Sequence, residues 1–212
     1  MRIFQIGFNN CGTTALNHLF QASGIMSLHG TGRYWREKGH PAVQGRNVQL
    51  AIHRNISAGR PAVYGFDDFR AFFGMEFSQG GLQIENFRRF ALLAEEYPSA
   101  KFILNTRDTD RWLQDRIDRQ GGRYLQWAMD RTGMSLKGVL NLWADDFHRH
   151  HDMVREHFRA DPDRLMEFDV DSGSVKDLIK FARSANMRLS SRHWKRARVS
   201  DHWQIPDRFR AA

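Results

Sequence analysis

Two periodicities alternate along the chain. Apolar runs of strand length stand at 2–8 (RIFQIGF), 25–29 (IMSLH), 62–66 (AVYGF), 101–106 (KFILNT) and 164–170 (RLMEFDV). Between them apolar residues recur every three or four positions, as on a helix with one buried face. The segment 13–23 places Leu16, Leu19 and Phe20 on one side, and 43–58 reads as a helix closed by Gly59-Arg60-Pro61. In 83–97, Ile84, Phe87, Ala91 and Ala94 share a face, with Phe90, Leu93 and Tyr97 beside them and Pro98 as the stop. A further helix starts near Asp110. A long one over 136–158 carries Leu136, Leu140, Trp143, Phe147, Val154 and Phe158 at helical spacing. A last one spans 174–184, with Ser174 as its N-cap.

Strands alternating with helices predict a mainly parallel sheet covered on both faces. The expected fold is a single-domain three-layer α/β/α arrangement with about five strands, like that of the P-loop nucleotide-triphosphatases. It should occupy 1–186, with a basic extension over 187–212 packing on or near the ligand site. Such sheets bind ligands at the carboxyl ends of their strands, which places the chemistry just after Phe8, Leu28, Phe66, Thr106 and Phe168.

Composition narrows the class. The 212 residues suffice for a core without cross-links, and 41% apolar content with 16 Phe and 6 Trp excludes a disordered chain. One Cys allows no disulfide within the chain. No apolar run approaches the roughly 20 residues of a membrane span, and MRIFQIGF lacks the apolar stretch of a secretory signal. A cytoplasmic protein is expected. The net charge of +8 suits an anionic ligand, and 187–212 holds seven Arg or Lys against two Asp.

The stretch GFNNCGTTAL, from Gly7, lies between the first strand and the first helix. Gly7 and Gly12 permit backbone geometry that a side chain would hinder. Successive N–H groups and the positive helix end can then converge on a phosphate, with Thr13 and Thr14 as hydroxyl donors. The plainer alternative is an ordinary connection with a capping Thr. The Gly-Lys of a nucleotide-triphosphatase loop is absent, and only Asp108 and Asp169 are loose candidates for a magnesium ligand.

This stretch resembles the 5′-phosphosulfate loop of sulfotransferases that use 3′-phosphoadenosine 5′-phosphosulfate, a family whose loop commonly reads G-F-P-K-S-G-T-T. KFILNTRDTDRWLQD (101–115) resembles that family's 3′-phosphate segment, and DRLMEFDV followed by VKDLIKFA resembles its last core strand and helix. The three fall in the family's order over roughly 2–185. The resemblance implies that Asn9, Asn10, Cys11, Gly12, Thr13 and Thr14 hold the 5′ end of the donor and Arg107 its 3′-phosphate. Arg192, in SSRHWKRAR (190–198), is the late basic contact. It implies a co-substrate and no metal.

Two positions depart from the family pattern. Asn10 stands where the loop lysine stands, and Asp115 where a serine binds the 3′-phosphate. A neutral amide replaces a charge-assisted bond of about twice the strength, and a carboxylate repels a phosphate unless a cation intervenes. Arg33, Arg36, Lys38 or the basic tail (Arg192, Lys195, Arg196, Arg198) are candidate replacements for the missing charge.

Sulfuryl transfer needs in-line geometry, charge stabilisation and a base for the acceptor. The family often places the base after the strand preceding the arginine strand, which here implies Asp67 or Asp68; capping of the next helix is the competing role. His29, after the second strand, is the alternative. In DDFHRHHDMVREH (145–157), His148, His151 and Asp152 suggest a metal, but no Cys cluster or H-E-x-x-H accompanies them, and a solvated helix surface is expected. The Trp residues at 112, 127, 143, 194 and 203 are expected in the core or an acceptor cleft. The leading function is therefore a sulfotransferase acting on a hydroxyl or amine of a small molecule, carbohydrate or lipid, with no nucleic-acid partner. The alternative is a catalytically weakened nucleotide- or partner-binding protein on the same fold. An atypical kinase is disfavoured by the missing Gly-Lys.

Overall fold

The computed structural model describes residues 1–79 and 81–195. Arg196, Arg198, Trp203 and the rest of 196–212 lie outside the described residues. The elements in chain order are β1 (Ile3–Gln5), α1 (Thr13–Ala22), β2 (Ser27–His29), α2 (Arg33–Glu37), α3 (Val48–Ser57), β3 (Ala71–Phe73), β4 (Glu76–Gln79) and β5 (Leu82–Glu85). Then follow α4 (Phe90–Glu96), β6 (Lys101–Thr106), α5 (Thr109–Asp118), α6 (Arg123–Thr132), α7 (Leu136–His157), β7 (Leu165–Asp169) and α8 (Val175–Ser184). The described residues fall into two units: 1–106 with 157–195, and 107–156.

The first unit holds a five-stranded sheet in the order β2-β3-β1-β6-β7, with every pairing parallel. Alternation along the strands feeds both faces. Ile3, Ala71, Phe73, Ile103 and Phe168 share a core with Leu16, Leu19 and Phe20 of α1 and Leu178 and Ala182 of α8. On the other face Phe4 stacks with Phe72 (5.2 Å) and Phe102 (5.8 Å), and Tyr97 and Phe158 close over these rings. The expected α/β fold, a parallel sheet flanked by helices, is the one observed. Segment 187–194 lies along α1: Ser190 donates to Ser23 Oγ (3.0 Å), the His193 carbonyl lies 3.3 Å from His18 Nδ1, and Trp194 packs on Phe168.

Two expected elements differ. The run at 62–66 is a series of turns, and the third strand is Ala71–Phe73. Tyr64 N–H bonds the Pro61 carbonyl and Phe66 N–H the Val63 carbonyl, while the Asn55 amide donates to the carbonyls of Ala62 (3.1 Å) and Tyr64 (3.0 Å). Those backbone groups are committed to turns and to Asn55 instead of to a strand ladder. Val63 and Phe66 are buried all the same, so the run has a strand's apolarity without its pairing. The expected helix at 83–97 begins as a strand, because β5 pairs antiparallel with β4 in a hairpin. A 3-10 turn at Asn86–Arg89 follows before α4 starts.

The second unit contains α5, α6 and almost all of α7. Trp112 packs on Phe147 (4.6 Å), and the Arg116 guanidinium lies 4.8–4.9 Å from the rings of Trp112, Tyr124 and Trp143. The histidines expected on a solvated surface divide. His148 lies at the surface, 3.4 Å from Thr109 Oγ1, whereas His150 and His151 are buried and His151 stacks on Phe147. Imidazole is apolar enough to pack on a ring, which a polar/apolar count along the helix does not register. Among the described residues no group of three or more His, Cys, Asp or Glu is arranged to hold a metal ion, and no helix is long and apolar enough to cross a membrane.

Candidate functional site

The connection from β1 to α1 is built around two polar side chains from the middle of the sheet. Asn105 on β6 is fully buried and uses both ends of its amide. Its Oδ1 accepts from Gly7 N–H (3.0 Å) and Gln5 Nε2 (2.6 Å), while its Nδ2 donates to the carbonyls of Phe8 (3.0 Å) and Cys11 (2.7 Å). Gln5 on β1 also donates to the Gly7 carbonyl (2.5 Å), and its Oε1 accepts from Gly74 N–H (2.7 Å). The loop is thereby fastened to the ends of β1, β3 and β6.

The glycines follow from this geometry. A Cβ at Gly7 would stand 2.1 Å from the Asn105 carbonyl oxygen. Gly12 is left-handed (φ 69°), and a Cβ there would stand 2.8 Å from Val170. Asn10 also takes the left-handed conformation (φ 65°), which asparagine tolerates better than most residues. Gly12 serves as the N-cap of α1 and no side chain caps the helix. The first N–H groups of a helix have no intrahelical partner, and here the loop supplies no carboxylate or hydroxyl to meet them. Close backbone approach, two left-handed residues and an uncapped helix start suit the anionic end of a nucleotide.

His29 ends β2, and its Nε2 lies 3.1 Å from Thr13 Oγ1 in the first turn of α1. A Cβ at Gly74 would stand 2.9 Å from the same nitrogen, so the glycine after β3 makes room for the imidazole. Burial lowers the His29 pKa to about 4, because it disfavours the charged ring. The side chain is therefore neutral near pH 7.

The remaining expected residues have partners of their own. Asp67 and Asp68 precede β3, so they lie beside the amino ends of the strands, at the edge opposite the loop. Asp67 pairs with Arg2 (3.2 Å), just before β1, and Asp68 lies 3.6 Å from His40. Their expected place after a third strand at 62–66 disappears with that strand. In the second unit Arg107 is buried, and its Nη1 donates to Asp115, the residue at the serine position. Arg192 is exposed and its Nε lies 2.9 Å from His193 Nε2. Of the candidate replacement cations, Arg33 pairs with Glu37, and Arg36 donates to the carbonyls of Thr31 and Arg46. Asp108 caps α5 through Arg111 N–H, and Asp169 accepts from the N–H groups of Asp171 and Ser172.

Four residues escaped sequence reasoning: Gln5, Gly74, Arg88 and Asn105. Gln5 and Asn105 are single polar residues inside apolar strands, the one signal that could have marked them, since a buried amide needs partners. Arg88 lies with its guanidinium carbon 5.1 Å from the ring centroid of Phe8, the second residue of the loop.

A comparison with curated proteins finds no match. The family model for the sulfotransferase domain matches residues 2–144, which include the loop, His29 and Asn105. That match spans more than half of the chain and falls on the residues that build the loop, so the chain belongs to the sulfotransferase domain family.

Proposed function

We propose that the protein transfers a sulfuryl group from 3′-phosphoadenosine 5′-phosphosulfate to a hydroxyl or amine of a small molecule, carbohydrate or lipid. The carrying observation is the loop between β1 and α1, held open by Asn105 and Gln5 and followed by an uncapped helix start, in a chain of this family. In this reading Asn9, Asn10, Cys11, Gly12, Thr13 and Thr14 bind the 5′ end of the donor. The donor supplies the electrophilic sulfur and a phosphate leaving group. His29 takes the acceptor's proton, a reading supported by the 3.1 Å between its Nε2 and Thr13 Oγ1. Its low pKa keeps it neutral and able to accept a proton, and an anion bound beside it would raise that pKa towards neutrality. Arg107 is assigned to the 3′-phosphate, and Arg192 to the late basic contact, by the resemblance.

The alternative, a weakened nucleotide- or partner-binding protein, is favoured by two observations. Asn10 brings no charge to the loop, and the Arg107 guanidinium already binds Asp115. Calorimetric titration with 3′-phosphoadenosine 5′-phosphate and with ATP tests the donor. Tight binding of the first, weak binding of the second and a large loss in Arg107→Ala are expected. No binding of the bisphosphate by the unaltered protein overturns the donor assignment. Donor turnover that appears only in Asn10→Lys would select the weakened protein.

A further inference from the structure

We propose that Thr13 couples the two substrates by setting which nitrogen of the His29 ring carries the lone pair. The anion of the sulfuryl donor takes the Thr13 hydroxyl hydrogen, and Nδ1 is thereby opened to the acceptor's proton. This rests on the donor reading above and adds to it the reacting atom and the order of events. Thr13 Oγ1 and His29 Nε2 meet at 3.1 Å, the one hydrogen bond of either side chain among the described residues.

The ring is held in place from its backbone. Gly30 N–H donates to the Phe73 carbonyl (3.0 Å), and the Gly30 carbonyl accepts from Gln49 Nε2 (2.9 Å). Gln49 is buried and its Oε1 accepts from Asn86 Nδ2 (2.9 Å), so turning that amide over would break both bonds. What can change is the position of the ring hydrogen. A neutral imidazole carries one N–H and one lone pair, assigned by the bond that each nitrogen makes. Thr13 is buried, and a hydroxyl has one hydrogen to donate and two lone pairs. With no anion present, its O–H has Nε2 as acceptor. The opposite arrangement, Nε2–H towards Oγ1, would strand that buried hydrogen, the costly outcome. The ring hydrogen then sits on Nδ1, and neither nitrogen is open as a base.

A phosphate or phosphosulfate oxygen beside Thr13 accepts the O–H. Oγ1 can then only accept, so Nε2 gains a proton from water while Nδ1 gives one up to water. The lone pair now lies on Nδ1. In the transfer, the acceptor's oxygen or nitrogen bonds to sulfur and its proton passes to Nδ1, giving imidazolium. The bond from sulfur to the phosphate oxygen breaks, with its electron pair on the leaving phosphate. An acceptor that arrives before the sulfuryl donor meets no base.

Nitrogen-15 spectra of the histidine-labelled protein test this, because N–H and bare ring nitrogens resonate apart. His29→Gln identifies the His29 signals. In the free protein the hydrogen should sit on Nδ1. Saturation with 3′-phosphoadenosine 5′-phosphate should move it to Nε2, and adenosine should leave it in place. Thr13→Val, which keeps the shape and drops the hydroxyl, should lose the exchange, and Thr13→Ser should keep it. The same tautomer in the free and the saturated parent, or the reverse exchange, overturns the proposal and leaves the donor reading standing. So does an exchange that persists in Thr13→Val, is lost in Thr13→Ser or is brought about by adenosine. If Thr13→Val fails to fold, the free and saturated parent decide by themselves. A parent that does not bind the bisphosphate in calorimetry removes the donor reading and this proposal with it.

Discussion

At the scale of single residues, buried polar groups govern the site. Asn105 satisfies two loop carbonyls, one loop N–H and the Gln5 amide with one side chain. Asn105→Ala strands those groups, and each buried orphan costs about 1–3 kcal/mol. A loss of about 2–4 kcal/mol in urea unfolding is expected, with a larger fractional loss of bisphosphate affinity; a variant of unaltered stability would refute the bracing role. His29 carries a pH signature. Its pKa in the folded protein is about 4 against an ordinary 6.5, so between these values the unfolded chain binds more protons and acid favours unfolding. Its contribution is fully present above about pH 6.5, falls as pH drops through that window and is gone below about 4. The whole effect is about 3 kcal/mol at 1.36 kcal/mol per unit. Unfolding free energies of the protein and of His29→Gln, compared at pH 7 and pH 5, check this: the parent should lose more stability than the variant.

At the scale of elements, the site is made where strands stop. β1, β3 and β6 are adjacent and parallel, so their ends deliver Gln5, Gly74 and Asn105 to one place. The entry to α1 depends on Gly12, whose left-handed backbone lies against Val170 just after β7. Gly12→Ala meets two obstacles, the positive φ and the Val170 methyls, and should cost about 1–3 kcal/mol. In Gly12→Ala/Val170→Ala the methyl at 2.8 Å is gone while the Val170 Cβ at 2.9 Å stays, so the crowding is eased and the double variant should lose less than the sum of the two single losses. Strict additivity in denaturant unfolding would show that Val170 does not crowd the helix entry. The hairpin of β4 and β5 leads directly into the turn from which the Arg88 guanidinium lies over the Phe8 ring, paired with Glu85.

For the molecule as a whole, charge acts on the proposed donor. A net charge of +8 attracts an anion from a distance and is screened by salt, with a Debye length of about 10 Å at 0.1 M. Affinity for the bisphosphate should fall steadily between 0.05 M and 0.5 M salt (about these limits), while adenosine affinity stays flat; parallel slopes would remove electrostatics from the account.

How much of this was legible in the sequence depended on the range of the interaction. The alternation of strands and helices, the loop with its two glycines and the family all follow from residues close together in the chain, because periodicity and turn chemistry are local. The third strand did not, since AVYGF and AFF are both apolar and only the turns held by Asn55 decide between them. Asp67 and Asp68 looked catalytic because of that misplaced strand, and the fold puts them with Arg2 and His40 at the other edge. The partners of Asn105 lie about a hundred positions away, and Arg88 meets Phe8 across eighty. The sequence alone determined that a loop with two glycines joins the first strand to the first helix, in a chain of the sulfotransferase domain family. Tertiary structure alone decided that Asn105 and Gln5 brace that loop and that His29 reaches Thr13, because those contacts are made only when the sheet closes.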